Sequence, residues 1–112
     1  MDFMQNIRDA GYWIAVPKAI ISSQRLSARA KELYCVLLSL CDQHGKRTIY
    51  SYYGFFGMHM GNLGEDAVGK YMKELRTNGL VRWKQNGIGR PNSITLRPIP
   101  SEFQDEYLSM FT

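Results

Sequence analysis

The stretch KYMKELRTNGLVRWKQNGIGRPNSITLR, residues 70–97, carries seven basic side chains, Lys70, Lys73, Arg76, Arg82, Lys84, Arg90 and Arg97, against one acid, Glu74. Its local charge is +6, whereas the rest of the 112-residue chain sums to −2 and the whole to +4. The stretch also changes period midway. With Val68 as reference and about 100° per residue, Tyr71, Met72 and Leu75 fall within about 60° of it, while Asp66, Gly69, Lys70, Lys73 and Thr77 lie about 100° to 200° away. This predicts an amphipathic helix over about 65–78, closed by Asn78-Gly79 with Gly79 in the left-handed conformation. Beyond it Val81 and Trp83 alternate with Arg82 and Lys84, and Ile94 and Leu96 with Ser93 and Thr95, so strands over 80–85 and 93–97 flank a loop at 86–92. A cationic helix runs directly into a cationic hairpin.

Upstream, residues 12–16 form a short apolar run stopped by Pro17, which predicts an edge strand or extended lead-in. A brief helical turn is expected from Pro17 to Ile21. Ser27 is placed as the N-cap of a long helix whose Ala30, Leu33, Tyr34, Leu37, Leu38 and Cys41 recur at spacings of three and four, a core-facing stripe. Asp42-Gln43-His44-Gly45 reads as its end and a turn, and 47–50 as a short strand. Residues 51–61 read as a helix capped by Ser51, with Phe56 and Met60 on one face, Gly57 beside it allowing close approach of a crossing helix, and Gly61 ending it, although three glycines and an aromatic run also fit a strand. Gly61 to Gly64 then forms the turn into the cationic helix. From Ser101 to about residue 111, Phe103, Tyr107, Met110 and Phe111 have helical spacing, so the tail is expected to cover the chain's own core or to pair with a second copy.

At 45% apolar and 12% aromatic residues, the chain suits one compact domain over 1–112, with a core at 12–97. No run of about 18 apolar residues exists to span a bilayer, and residues 1–6 lack the features of a signal peptide, so a cytoplasmic protein is expected. Cys35 and Cys41 project about 240° apart on one helix and cannot bridge each other, which reads as two reduced core thiols. Cys41-x-x-His44, with His59 or Cys35, is at most half a zinc site, and core thiol with solvated histidine is the preferred reading. Gly87-x-Gly89 lacks the third glycine and the flanking strand and helix of a dinucleotide site, and neither histidine has a triad partner nearby in sequence. No enzyme activity, metal or cofactor is expected. The aromatic group Tyr50, Tyr52, Tyr53, Phe55 and Phe56 could stack on single-stranded bases, but core packing is the favoured reading.

Four segments in order carry a resemblance. They are Val16-Pro17-Lys18-Ala19-Ile20; Leu26-Ser27 with Ala30-Lys31, Leu33-Tyr34 and Leu37; Val68 with Tyr71, Lys73-Glu74-Leu75 and Gly79-Leu80-Val81; and Gly87 with Gly89-Arg90-Pro91-Asn92. Together they resemble the winged helix-turn-helix family of plasmid and phage replication initiators, N-terminal domain, and related small regulators of mobile elements. The resemblance spans about residues 12–97 and implies an α+β, mainly α, fold with a C-terminal β-hairpin wing, here followed by an additional helix. It implies duplex DNA as partner, with helix 65–78 in the major groove and wing 86–92 on backbone or minor groove. The chain departs from the family in a turn one residue longer, Gly64 at the cap position, Glu65 and Asp66 opening the recognition helix, and Gly69 where a base is frequent.

The candidate DNA-binding residues are therefore Asp66, Gly69, Lys70, Lys73, Arg76 and Thr77 on the helix, and Arg82, Lys84, Arg90 and Asn92 on the hairpin. Lys70 and Lys73 would meet phosphate or guanine edges, Arg76 phosphate, and Arg90 a narrow minor groove, with Asn92 near sugar or base. Asp66 either complements the helix dipole or accepts from cytosine N4. Transcriptional control and replication initiation are both open. The competing class is a winged helix used for protein–protein assembly, in which Glu65 and Asp66 repel phosphate.

Overall fold

A computed structural model describes residues 2–5, 14–44 and 47–112, the side chains of 42–44 excepted. The elements run α1 (Lys18–Ile21), α2 (Ala28–His44), β1 (Thr48–Ser51), α3 (Tyr53–Met58), α4 (Glu65–Thr77), β2 (Val81–Lys84), β3 (Asn92–Leu96) and α5 (Ser101–Ser109). None of the described helices is long and apolar enough to cross a membrane.

Helix α2 begins where Ser27 caps it, the Oγ accepting from the Ala30 amide at 3.2 Å. Its Ala30, Leu33, Tyr34 and Leu37 are buried. Leu38, Cys35 and Cys41 are half-buried rather than core, and burial pushes both thiols up from their ordinary pKa. Helix α4 packs against α2 and α3 through Val68, Met72 and Leu75, which are all buried. It ends as its sequence demands: Gly79 has φ +76° and the amides of Gly79 and Leu80 donate to the carbonyls of Arg76 and Leu75 at 3.0 Å. That paired closure satisfies carbonyls a helix otherwise leaves open, and a residue with a Cβ resists the conformation it needs.

The sheet has three strands in the order β1-β3-β2, all antiparallel; the strand expected at 47–50 is β1, which pairs with β3 beside the hairpin. In register, Tyr50 faces Ser93 and Ser93 faces Lys84, while Thr48 faces Thr95 and Thr95 faces Arg82. Buried Val81 and Ile94 and half-buried Trp83, Ile49 and Leu96 form the inner face, packed on the helices.

Segment 51–61 differs most from its sequence reading. Ser51 belongs to β1, the helix begins only at Tyr53, and Tyr52 occupies the cap position without a side-chain cap bond. Phe56 and Met60 are buried as expected, and Gly57 is approached by the following helix, Val68 Cγ2 of α4 lying 3.4 Å from where a Cβ would stand, but more closely still by the turn. A Cβ there would overlap the Leu63 carbonyl oxygen, and the Leu63 amide donates to the Gly57 carbonyl at 2.9 Å. The closure of the turn between α3 and α4 thus requires the missing side chain.

The predicted lead-in strand has no counterpart at 14–16, which is irregular; Tyr12, Trp13 and the turn glycine Gly45 lie outside the described residues. The tail forms α5 and folds back on α1, burying Phe103. Glu106 there accepts from Ser23 Oγ at 2.7 Å and from the Gln24 amide at 3.2 Å.

Candidate nucleic-acid interface

Burying Val68, Met72 and Leu75 turns the other side of α4 outward, and Asp66, Lys70, Lys73, Arg76 and Thr77 are all exposed. Gly69, expected on that free side, is half-covered: the Tyr53 ring passes 3.3 Å from where a Cβ would stand. The acids of this region are disposed differently from one another. Glu65 folds back so that its carboxylate would meet a side chain at Gly54 at 3.1 Å. Glu74 reaches across to α2, accepting from the Ser27 amide at 2.6 Å and the Ser27 hydroxyl at 2.8 Å. There it sits at the positive end of the α2 dipole, so the single acid of segment 70–97 is committed to scaffolding.

Arg76 bridges helix and hairpin, its guanidinium carbon standing 5.3 Å from the centroid of the Trp83 ring, a cation–π distance. Tyr53 belongs to the same cluster. Burial raises its pKa, while the Arg76 charge and the Trp83 indole act in the opposite direction. The indole Nε1 is itself buried and makes no hydrogen bond of normal length. Lys70 rests over Tyr71, Nζ 5.5 Å from the ring centroid.

Strand alternation separates the hairpin cations from this cluster. Trp83 faces inward, so Arg82 and Lys84 project from the outer face of the sheet, while Arg76 stacks on the inner-face side. The helix group and the sheet group therefore occupy different surfaces. At the loop, Asn86 Nδ2 donates to the Pro91 carbonyl at 3.0 Å and to Ser93 Oγ at 2.6 Å, and the Arg90 amide donates to the Gly87 carbonyl at 3.2 Å. Tyr52 donates its hydroxyl proton to the Gly89 carbonyl at 2.9 Å, tethering the loop tip to the start of α3. Arg90 is exposed at that tip, whereas Asn92 is half-buried in β3 opposite Ser51.

All seven cations of the segment are exposed, and among the described residues none is paired with a carboxylate; the two ion pairs present are Arg25–Glu106 and Arg29–Glu32. Sequence reasoning missed three residues here. Ile88 is wholly exposed at the loop tip, close in sequence to Arg90, and only its isolation among glycines hinted at it. Tyr52 and Glu74 act through contacts distant in sequence, for which the chain offers no local signal. Elsewhere, Glu32, Cys35, Ser39 and His59 line a groove of about 300 Å³, yet no group of three or more metal-ligating side chains occurs among the described residues. His44, named for the zinc half-site, has its side chain outside them.

No protein-family model matches the chain, and no curated protein matches its sequence. Among the solved structures that share its fold are two that cover nearly its whole length. One, a Rep–DNA complex, superposes with a TM-score of 0.66 at 20% identity, covering 97% of this chain and 92% of that one. The other, the N-terminal domain of a DNA-binding protein, gives 0.64 at 22% identity, covering 97% and 91%. The fold is thus a small winged-helix-like α+β domain, alike along nearly its whole length.

Proposed function

We propose that this chain binds duplex DNA, as a small transcriptional regulator or a replication-initiator-like module, and does no catalysis of its own. The observation that carries the reading is the concentration of seven exposed cations, free of carboxylate partners among the described residues, on a helix and hairpin. The likeness to a Rep–DNA complex and to a DNA-binding domain adds to it. Helix α4 enters the major groove; Lys70 and Lys73 meet guanine edges or phosphate, Arg76 and Thr77 phosphate, and Asp66 the amino group of a cytosine. The hairpin tip lies on the minor groove, where Arg90 and Ile88 reach inward and Asn92 supports the backbone. Arg82 and Lys84 belong to the same cationic field but stand further round the sheet. The protein works in the cytoplasm, where its DNA is.

The exposed Leu108 and Phe111 at the end of α5 offer a contact for a second copy, which would set two copies of α4 about 34 Å apart on a palindrome. Gel-filtration mass distinguishes that arrangement from a monomer on single or repeated sites. The decisive test of the reading is selection from random duplex DNA with the wild type, Lys73→Ala and Arg90→Ala. A recovered motif that both substitutions weaken supports it. No enrichment from the wild type overturns it in favour of protein assembly.

A further inference from the structure

The outer face of the sheet stands on the opposite side of the strands from Arg76, and its composition is specific. Thr48 and Thr95 share a hydrogen bond between their Oγ1 atoms at 2.9 Å, which places both on this face, and their row continues to Arg82. One step along lies the row Tyr50, Ser93, Lys84. Tyr50 is the one aromatic among these six and is 67% exposed, although aromatic side chains of this size ordinarily bury most of their area. No acid belongs to either row, Arg82 and Lys84 are exposed, and among the described residues neither has an ion-pair partner.

We infer that this outer sheet face is a second nucleic-acid site, one for an unpaired strand, with Tyr50 as the stacking platform and Arg82 and Lys84 as phosphate contacts. The chemistry selects the occupant. A flat ring standing free on a sheet, flanked by cations and by short hydroxyl side chains that leave it accessible from above, takes the π-face of any base, and the cations track the backbone beside it. A duplex hides its base faces and offers Tyr50 nothing. A protein partner would need apolar area around the ring, and the row neighbours Ser93 and Lys84 and the adjacent Thr48, Thr95 and Arg82 supply none. Stacking is indifferent to base identity, so the site is sequence-tolerant, unlike α4.

The test is fluorescence anisotropy with labelled single-stranded oligothymidylate and oligouridylate of about 20 nucleotides, and with the corresponding duplex, on the wild type, Tyr50→Ala, Tyr50→Phe and Arg82→Ala/Lys84→Ala. Tyr50→Ala should weaken single-strand binding about tenfold, the loss of one stacked base, while Tyr50→Phe retains it. The double substitution should reduce the salt slope for the single strand by about 1.4, at about 0.7 per contact. Duplex affinity should be unchanged in Tyr50→Ala. Tightness on the deoxy or the ribo oligomer tells which strand is preferred, and either supports the site. Wild type that binds neither oligomer at low salt overturns the inference, as does Tyr50→Ala that binds them normally. Equal loss on duplex and single strand also overturns it, since the face then belongs to the duplex interface. Failure of duplex binding alone would sink the proposed function and leave this site standing.

Discussion

At the scale of single residues, Gly57 and Ser27 show how much of the architecture rests on small side chains. The Leu63 carbonyl occupies the space a Cβ would need at Gly57, and it is backbone, held by its own amide bond to Gly57, so it cannot yield. Gly57→Ala should therefore destabilise the fold by about 2 to 3 kcal/mol, as overpacking of a closed site does, and urea unfolding followed by tryptophan fluorescence measures it. Ser27 does two things with one hydroxyl, accepting from the Ala30 amide and donating to Glu74. Ser27→Ala removes both and should cost about 1 to 2 kcal/mol, read from the same denaturation midpoint. An unchanged midpoint would show that the remaining bond from the Ser27 amide to Glu74 suffices.

At the scale of elements, α2, α4 and the hairpin follow from periodicity alone, because Leu33, Leu37, Val68, Met72 and Leu75 repeat at helical spacing and Val81, Trp83, Ile94 and Leu96 at strand spacing. Whether 48–51 joins the sheet was not readable, since a four-residue strand acquires its partner only through tertiary packing, and Ser51 looked like a cap for the same reason that it can end a strand. The aromatic run misled more deeply. Of Tyr50, Tyr52, Tyr53, Phe55 and Phe56, only Phe56 is buried, because strand alternation at Tyr50 and the late helix start at Tyr53 turn the others outward or half outward. The candidate site was legible as a list of cations but not as surfaces, for the split of Arg76 from Arg82 and Lys84 depends on which face Trp83 takes. The docking of α5 carries a pH dependence. The Ser23 hydroxyl, with lesser help from the Gln24 amide and the charges of Arg25 and Lys31, holds the Glu106 carboxyl below its ordinary pKa despite an opposing effect of desolvation. A group whose folded pKa is lowered contributes fully above the unfolded value, about 4.3 for glutamate, and loses that contribution as pH falls through the folded one. Amide shifts of 101–109 should accordingly move only in acid, and in Glu106→Gln they should be displaced already at neutral pH and no longer titrate with this group.

At the scale of the whole molecule, the charge distribution governs how binding responds to its medium. If about five of the seven cations neutralise phosphates of a duplex, the logarithm of the affinity should fall against that of salt with a slope near −4 to −5. A titration between low and moderate salt checks it, and a flat response would sever the link between the cationic field and the partner. Rigidity completes the picture. Because the Tyr52 hydroxyl clasps the Gly89 carbonyl while Arg76 lies on Trp83, α4 and the hairpin tip are fastened to one frame. If both meet a duplex as proposed, their separation acts as a fixed gauge, and helical tracts that differ in bendability would be sorted by how cheaply they can be strained to fit the calliper, even at base pairs no side chain reaches.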